Sequence, residues 1–265
     1  MKNACSNNCL KAFVLIQESS LMDIIKDFIE NIEQIDHNPY MIQQFYDYVK
    51  LKYKIPCEAG MLFIEKITMI NIFDRFKIKI DQMNGLINRK IFLYQWIRHN
   101  HLEIQDLDLA EVIEEFRKIR SSEVPSVKKY HLMNSISMLY GKVGRDIGCD
   151  GFFPYLVYCL IKSEIKDVYA HVYLIKLFRR NYENNCKFGC SHGFNMAVGC
   201  DCLVSANWND EDEYYITLTL SALEYIAKIE FYNLKIGSDE FDNEIVQSLK
   251  KIEIKGNLDD ESFET

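Results

Sequence analysis

The sequence predicts an all-α protein in which many helices pack in layers. Apolar residues recur at spacings of three and four through most of the chain, which is the period of an amphipathic helix. No stretch of useful length alternates apolar and polar residues as a strand does, and no unit repeats at a fixed period. The hydrophobic fraction of 48% supplies a core, while 11 glycines and 4 prolines are too few for a chain dominated by linkers.

Residues 1–89 are predicted to form an N-terminal helical bundle. Pro56 stops its second helix because proline cannot continue the backbone ladder, and Asn84-Gly85 has the composition of a turn. We expect this bundle to pack against the helical layer that follows and to support it. Its predicted helices are 13–32, 41–51 and 61–76, and a further predicted helix over 87–97 crosses the boundary at residue 89.

Residues 90–234 are predicted to form a second helical domain with a loop insertion at 182–210. The loop breaks the helical pattern with asparagines, glycines and four cysteines. Residues 235–265 are expected to be a short helix and an acidic flexible tail, because the end of the chain is poor in apolar residues.

Local signals set the helix starts within the second domain. Asp108, with a glutamate three residues later, has the form of a capping box, and Pro125 suits the first turn of a helix that ends near Gly144. Asp150 is expected to cap the next helix, with Pro154 still among the first residues that need no N–H partner. Further helices are predicted over 109–119, 167–181 and 213–234.

Charge and hydropathy exclude several classes of function. Thirty-one basic residues against 39 acidic ones give a net charge of -8, the wrong sign for a surface that must neutralise nucleic-acid phosphates. The most apolar run, Gly151 to Ile161, is far shorter than the roughly 20 residues of a membrane span. Nine cysteines, an odd number, without a secretion signal are typical of a reduced cytoplasmic protein.

The common catalytic motifs are missing from the sequence. It has no glycine-rich phosphate loop followed by lysine, no Gly-x-Ser-x-Gly elbow and no His-Glu-x-x-His pair. We therefore expect neither a conventional hydrolase nor a resident cofactor.

The cysteine-rich loop is a candidate zinc site. Its five soft ligands lie within seventeen residues, enough for a tetrahedral Zn²⁺ that would order a loop without a core of its own. The spacings are irregular, and a disordered loop that merely carries cysteines remains the alternative. The candidate ligands are Cys186, Cys190, His192, Cys200 and Cys202.

Two stretches about 55 residues apart carry a resemblance to a known family. Residues 149–158, Cys-Asp-Gly-Phe-Phe-Pro-Tyr-Leu-Val-Tyr, and residues 213–222, Glu-Tyr-Tyr-Ile-Thr-Leu-Thr-Leu-Ser-Ala, resemble the two signature helices of the vacuolar protein sorting 9 domain. This family consists of guanine-nucleotide exchange factors for Rab GTPases of the early-endosome class. Further blocks near 96–104, 124–129 and 169–178 extend the resemblance over roughly residues 90–232.

The sequence also departs from the family pattern. Gly151 stands where an acidic residue often follows the key aspartate, and residues 163–166 lack the family's double proline. Ala170-His171 replaces the usual Ser-Asn pair.

The resemblance implies which residues act. Asp150 would be the acidic finger that enters the phosphate and Mg²⁺ site of the GTPase, and Pro154 would fix its direction. Tyr214 and Thr217, one turn apart on a helix, would contact the switch region. No covalent bond changes, so the chain would be an exchange factor recruited to endosomal membranes and not an enzyme in the covalent sense.

Two other interpretations stay open. A helical module of the same fold could bind or scaffold a Rab GTPase without catalysing exchange. A zinc-dependent interaction protein could act through residues 186–202. Asp150 distinguishes the first of these from an exchange factor, because a scaffold would be indifferent to its loss.

Overall fold

A computed structural model describes residues 19–31, 40–53, 55, 58–180 and 210–261. Within these ranges the regular structure is entirely helical, which confirms the predicted fold class. The α-helices are α1 (Ser19–Glu30), α2 (Tyr40–Lys52), α3 (Glu58–Lys79), α4 (Asp81–Leu93), α5 (Ala110–Arg117), α6 (Pro125–Val143), α7 (Cys149–Ser163), α8 (Val168–Phe178), α9 (Asp210–Ala227) and α10 (Ser238–Glu261). Short 3-10 helices occupy His99–Leu102, Lys118–Ser121 and Phe231–Asn233.

The predicted turn at Asn84-Gly85 is wrong, because both residues lie inside α4. The Asn84 side chain is buried, and its Nδ2 donates a hydrogen bond to Asp167 Oδ1 at 2.7 Å. Asn88 Nδ2 donates to the same oxygen at 2.8 Å. A tertiary contact therefore outweighs the turn preference of an Asn-Gly pair.

The helix ends differ from the prediction towards the C-terminus. Helix α9 ends at Ala227, seven residues before the predicted end at 234, and a 3-10 turn follows at Phe231–Asn233. Helix α10 continues to Glu261, past the start of the flexible tail expected from composition. The short helix predicted within 235–265 is therefore present, but it is longer than expected.

Contacts divide the chain into two compact units. The first comprises residues 1–81, 119–131 and 170–216. Its core joins the apolar faces of α1, α2 and α3 to the end of α8, where Leu174 and Phe178 lie in the same cluster. Fully buried members of this core include Leu21, Ile25, Ile42, Val49, Ile64, Met69 and Ile72.

The second unit comprises residues 82–118, 132–169 and 217–265, and α7 lies in its core. Helix α5 packs against α7, and Arg117 donates from Nε to the Ser163 carbonyl at 3.2 Å. At the other end of α7, the ring of Phe152 stacks on Tyr140 with centroids 4.0 Å apart. Helix α7 is thus held at both ends, which makes it a rigid support for whatever its first turn presents.

No helix in the described ranges is both long enough and apolar enough to cross a bilayer.

Candidate functional site

Asp150 is the second residue of α7, and the helix is capped by Gly148. Gly148 has an extended backbone, with φ -65° and ψ 167°, and the first intrahelical bond runs from Phe152 N to Gly148 O at 3.0 Å. The expectation that Asp150 caps the helix is therefore wrong. A capping carboxylate would be occupied by backbone N–H groups, whereas this one is not.

The Asp150 side chain is exposed to solvent. Among the residues that the structure describes, its carboxylate has no hydrogen-bond or ion-pair partner. The N-terminal end of a helix carries partial positive charge, which favours a carboxylate there without consuming it. The site thus presents an anionic group on a rigid base, available to a cation of a partner.

Pro154 lies inside α7 and not in its first turn. The sequence placed it among the unpaired N–H positions, but the helix starts at Cys149, so Pro154 is its sixth residue. Proline has no N–H, and the bond it cannot make is the one to the carbonyl of the residue four positions earlier, Asp150. Pro154 therefore leaves the Asp150 carbonyl without its intrahelical N–H donor.

Gly151, next to Asp150, is covered by the side chain of Ile147. A Cβ atom at Gly151 would lie 2.7 Å from Ile147 Cγ1, closer than real Cβ contacts, and 3.1 Å from its Cδ1, a tight contact. The acidic residue that the family often carries here would require Ile147 to move. This departure from the family pattern therefore has a local steric basis.

An open groove of about 460 Å³ lies beside Pro154. Phe153 and Tyr225 meet in it edge to face, with ring centroids 5.6 Å apart, so the groove is where α7 contacts the C-terminal half of α9. Glu103 and Lys235 form an exposed ion pair of 2.9 Å among its lining residues. The lining consists of His101, Leu102, Glu103, Phe153, Pro154, Tyr225, Tyr232, Asn233, Leu234 and Lys235.

The groove was not predicted from the sequence. Its lining comes from three stretches that are distant in sequence. Phe153 and Pro154 belong to the first signature stretch, but no local pattern indicates that this stretch meets Tyr225 or Lys235.

Tyr214 and Thr217 both lie on α9, as predicted from the sequence, and both are exposed. The Tyr214 side chain is 46% exposed, a large fraction for an aromatic residue on a helix that is otherwise packed. Their spacing of three places them on one face, while Ile216 and Thr219 on the same helix are buried. Their role as contacts to a GTPase remains a prediction.

The predicted zinc ligands Cys186, Cys190, His192, Cys200 and Cys202 lie outside the described residues. In the part of the chain that the structure does describe, no group of three or more His, Cys, Asp or Glu side chains is arranged to hold a metal ion.

Comparison with known proteins supports the resemblance that the two signature stretches carry. Residues 109–231 match the family model of the vacuolar sorting protein 9 (VPS9) domain. The chain is also similar to the vacuolar protein sorting-associated protein vps901 of Schizosaccharomyces pombe, with 20% identity over 176 residues. That match takes in 63% of this chain but only 27% of the yeast protein. Asp150, Pro154, Tyr214 and Thr217 all fall within the matched segment.

Proposed function

We propose that this chain is a guanine-nucleotide exchange factor that promotes GDP release from a Rab GTPase of the early-endosome class. The observation that carries the proposal is the Asp150 carboxylate, exposed and without a side-chain partner among the described residues, on a rigid helix within the VPS9-like segment. The exchange domain would span residues 90–234 and would act in the cytoplasm, recruited peripherally to endosomal membranes.

The proposed reaction needs differential binding and no covalent step. A GTPase holds its nucleotide through a lysine of the phosphate loop, backbone amides and a bridging Mg²⁺. An exchange factor accelerates release by binding the nucleotide-free form more tightly than the loaded form. The Asp150 carboxylate would pair with that lysine, repel the phosphates and displace Mg²⁺. The Mg²⁺ belongs to the GTPase, so this chain needs no resident cofactor.

The other site residues have supporting roles in this proposal. Pro154 would set the backbone direction of Asp150, and Tyr214 and Thr217 would contact the switch region of the GTPase. The side chains of Asp150, Tyr214 and Thr217 are each exposed, so a folded partner can reach each of them.

The first test is release of a fluorescent GDP analogue from a panel of Rab GTPases at fixed Mg²⁺. We expect the wild-type protein to accelerate release from at least one early-endosome Rab, and Asp150→Ala to lose at least about tenfold of the acceleration. Asp146→Ala is the matched control, because Asp146 is an exposed aspartate four residues before Asp150, in the connection that precedes α7. It should retain the wild-type rate.

Binding of the nucleotide-free GTPase separates exchange from scaffolding. An exchange factor with Asp150→Ala should still capture the nucleotide-free GTPase, since the switch contacts are intact. If wild-type protein binds a Rab but accelerates no release, the chain is a scaffold. If Asp150→Ala accelerates release as well as wild type, the chain exchanges nucleotide without Asp150 and the acidic-finger proposal is wrong.

A further inference from the structure

The turn of α9 that precedes Tyr214 carries four acidic residues, and two of them, Asp212 and Glu213, each pair with a buried cation. Lys129 Nζ lies 2.7 Å from Asp212 Oδ2. The Arg179 guanidinium donates from Nη2 to Glu213 Oε2. The Lys129 and Arg179 side chains are only 5% and 3% exposed, so these pairs differ from ordinary surface ion pairs.

Arg179 is held in place independently of Glu213. Its Nη1 donates to the carbonyls of Ile175 at 3.0 Å and Lys176 at 2.7 Å, near the C-terminal end of α8. Its own carbonyl accepts a hydrogen bond from Gln43 Nε2 at 2.6 Å. The guanidinium is therefore already oriented, and the pair with Glu213 need not order a free side chain.

A second buried pair holds the start of α6, the helix that carries Lys129. Arg180 Nε donates to Glu65 Oε2 at 3.0 Å, and both side chains are fully buried. Glu65 Oε1 in turn accepts from the backbone N–H of Ser126 at 2.7 Å, at the start of α6. Lys129 follows Ser126 by three residues, one turn along the same helix, so Glu65 fixes the part of α6 that carries it.

The two ion pairs favour one position of the first turn of α9. A buried cation that loses its partner retains the desolvation cost without the compensating attraction. Movement of Asp212 or Glu213 would weaken the attraction that offsets the burial of Lys129 or Arg179. Helix ends ordinarily fray, but this one is held by two desolvated cations.

We propose that Lys129 and Arg179 are positioning residues for Tyr214. They hold the first turn of α9 through Asp212 and Glu213, and Tyr214 is the residue that follows Glu213. The functional part of this inference rests on the proposed exchange activity, whereas the structural part does not.

Hydrogen exchange of the backbone amides tests the structural part without a GTPase. In Asp212→Asn/Glu213→Gln, which keeps the size of both side chains, we expect the amides of residues 214–217 to exchange about tenfold faster, with α7 unchanged. Glu211→Gln is the matched control, since Glu211 lies in the same turn and is exposed. Unchanged exchange at 214–217 in the double variant would overturn the proposal.

GDP release in two backgrounds tests the functional part. In protein with Tyr214, the double variant should lower kcat/KM about fivefold or more. In Tyr214→Ala protein the same two changes should have little further effect on kcat/KM, because the side chain that the ion pairs position is absent. An equal loss in both backgrounds would show that the pairs act on the fold and not on Tyr214, and would overturn the positioning role.

If the wild-type protein accelerates no release, the proposed function fails, while the hydrogen-exchange result still decides the positioning of Tyr214.

Discussion

Asp150 and Pro154 occupy positions i and i+4 of α7, so the Asp150 carbonyl lacks the N–H donor that a helix would otherwise supply. A proline ring inside a helix also crowds the carbonyl four residues earlier. Asp150, whose side chain is proposed to act, is therefore the residue whose carbonyl lacks its intrahelical hydrogen bond.

Pro154→Ala should separate stability from exchange. Restoring the N–H should stabilise the helix by up to about 3 kcal/mol, the usual difference between proline and alanine inside a helix. GDP release should slow, because the Asp150 backbone relaxes into the regular ladder. Urea denaturation and the fluorescent release assay measure the two effects.

Pro125→Ala is the control for that substitution, because Pro125 occupies the first position of α6, where no intrahelical bond is missing. It should not stabilise the protein. If Pro154→Ala instead leaves exchange at the wild-type rate, the proline is only tolerated in α7 and does not direct Asp150.

Gly151 and Ile147 should be energetically coupled. Replacement of glycine by alanine inside a helix normally stabilises the folded state by roughly 0.5–1 kcal/mol. At Gly151, however, the new methyl group would lie 2.7 Å from Ile147 Cγ1. We expect the gain to appear in the Ile147→Ala background and to be smaller or absent with Ile147 present. A double-mutant cycle measured by urea denaturation gives the coupling, and additive effects would contradict the steric account.

The apolar periodicity predicted which segments are helical better than the cap residues predicted where each helix begins and ends. Pro125 and Gly144 marked α6 well: it starts at Pro125 and ends at Val143, and Gly144 takes φ +96°, a conformation that glycine adopts readily. Asp150 was expected to cap α7 because aspartate is a favoured cap, yet Gly148 is the cap, since the turn that starts at Gly144 brings the chain into the helix earlier.

The parts that sequence could not predict depend on contacts between distant residues. The pair of bonds from Asn84 and Asn88 to Asp167 spans about 80 positions, and no local pattern reports it. The groove beside Pro154 and the ion pairs of Asp212 and Glu213 are of the same kind. Resemblance supplied Tyr214 and Thr217 because their spacing is local, whereas the groups that hold their helix are not.

The buried pair of Glu65 and Arg180 should be costly to break from the arginine side. Burial raises the pKa of the Glu65 carboxyl, while Arg180 and the Ser126 N–H oppose that rise. Arg180→Met should destabilise by about 3–5 kcal/mol at neutral pH, because it leaves a buried charge without its partner. Arg180→Lys, which keeps the charge, should cost less.

The pH dependence of Arg180→Met follows from the same carboxyl. Without the guanidinium, the pKa of Glu65 in the folded state rises further above its value in the unfolded chain. Between those two values the folded state binds more protons, so stability falls as pH rises and recovers as pH is lowered. The urea midpoint of Arg180→Met should lie closer to that of wild type at pH 5 than at pH 7.5. An equal difference at both pH values would contradict the prediction.

Lys128 should make the stability of the protein rise with pH above 8. Its side chain is fully buried, with Nζ 3.2 Å from the Ile119 carbonyl and 3.1 Å from Nδ1 of His171. Burial lowers the pKa of Lys128 from 10.5 to about 8, with Glu123 opposing the shift. Above pH 8 the folded state loses this proton, while the unfolded chain keeps it up to its own pKa near 10.4.

Between these two pKa values the unfolded state binds more protons than the folded state. The free energy of unfolding therefore rises by up to about 1.4 kcal/mol per pH unit across that window. Lys128→Met removes the titrating group, so its stability relative to wild type should fall between pH 8 and pH 10. Exposed Lys166→Met serves as the control for loss of a lysine, and parallel urea profiles for wild type and Lys128→Met would contradict this prediction.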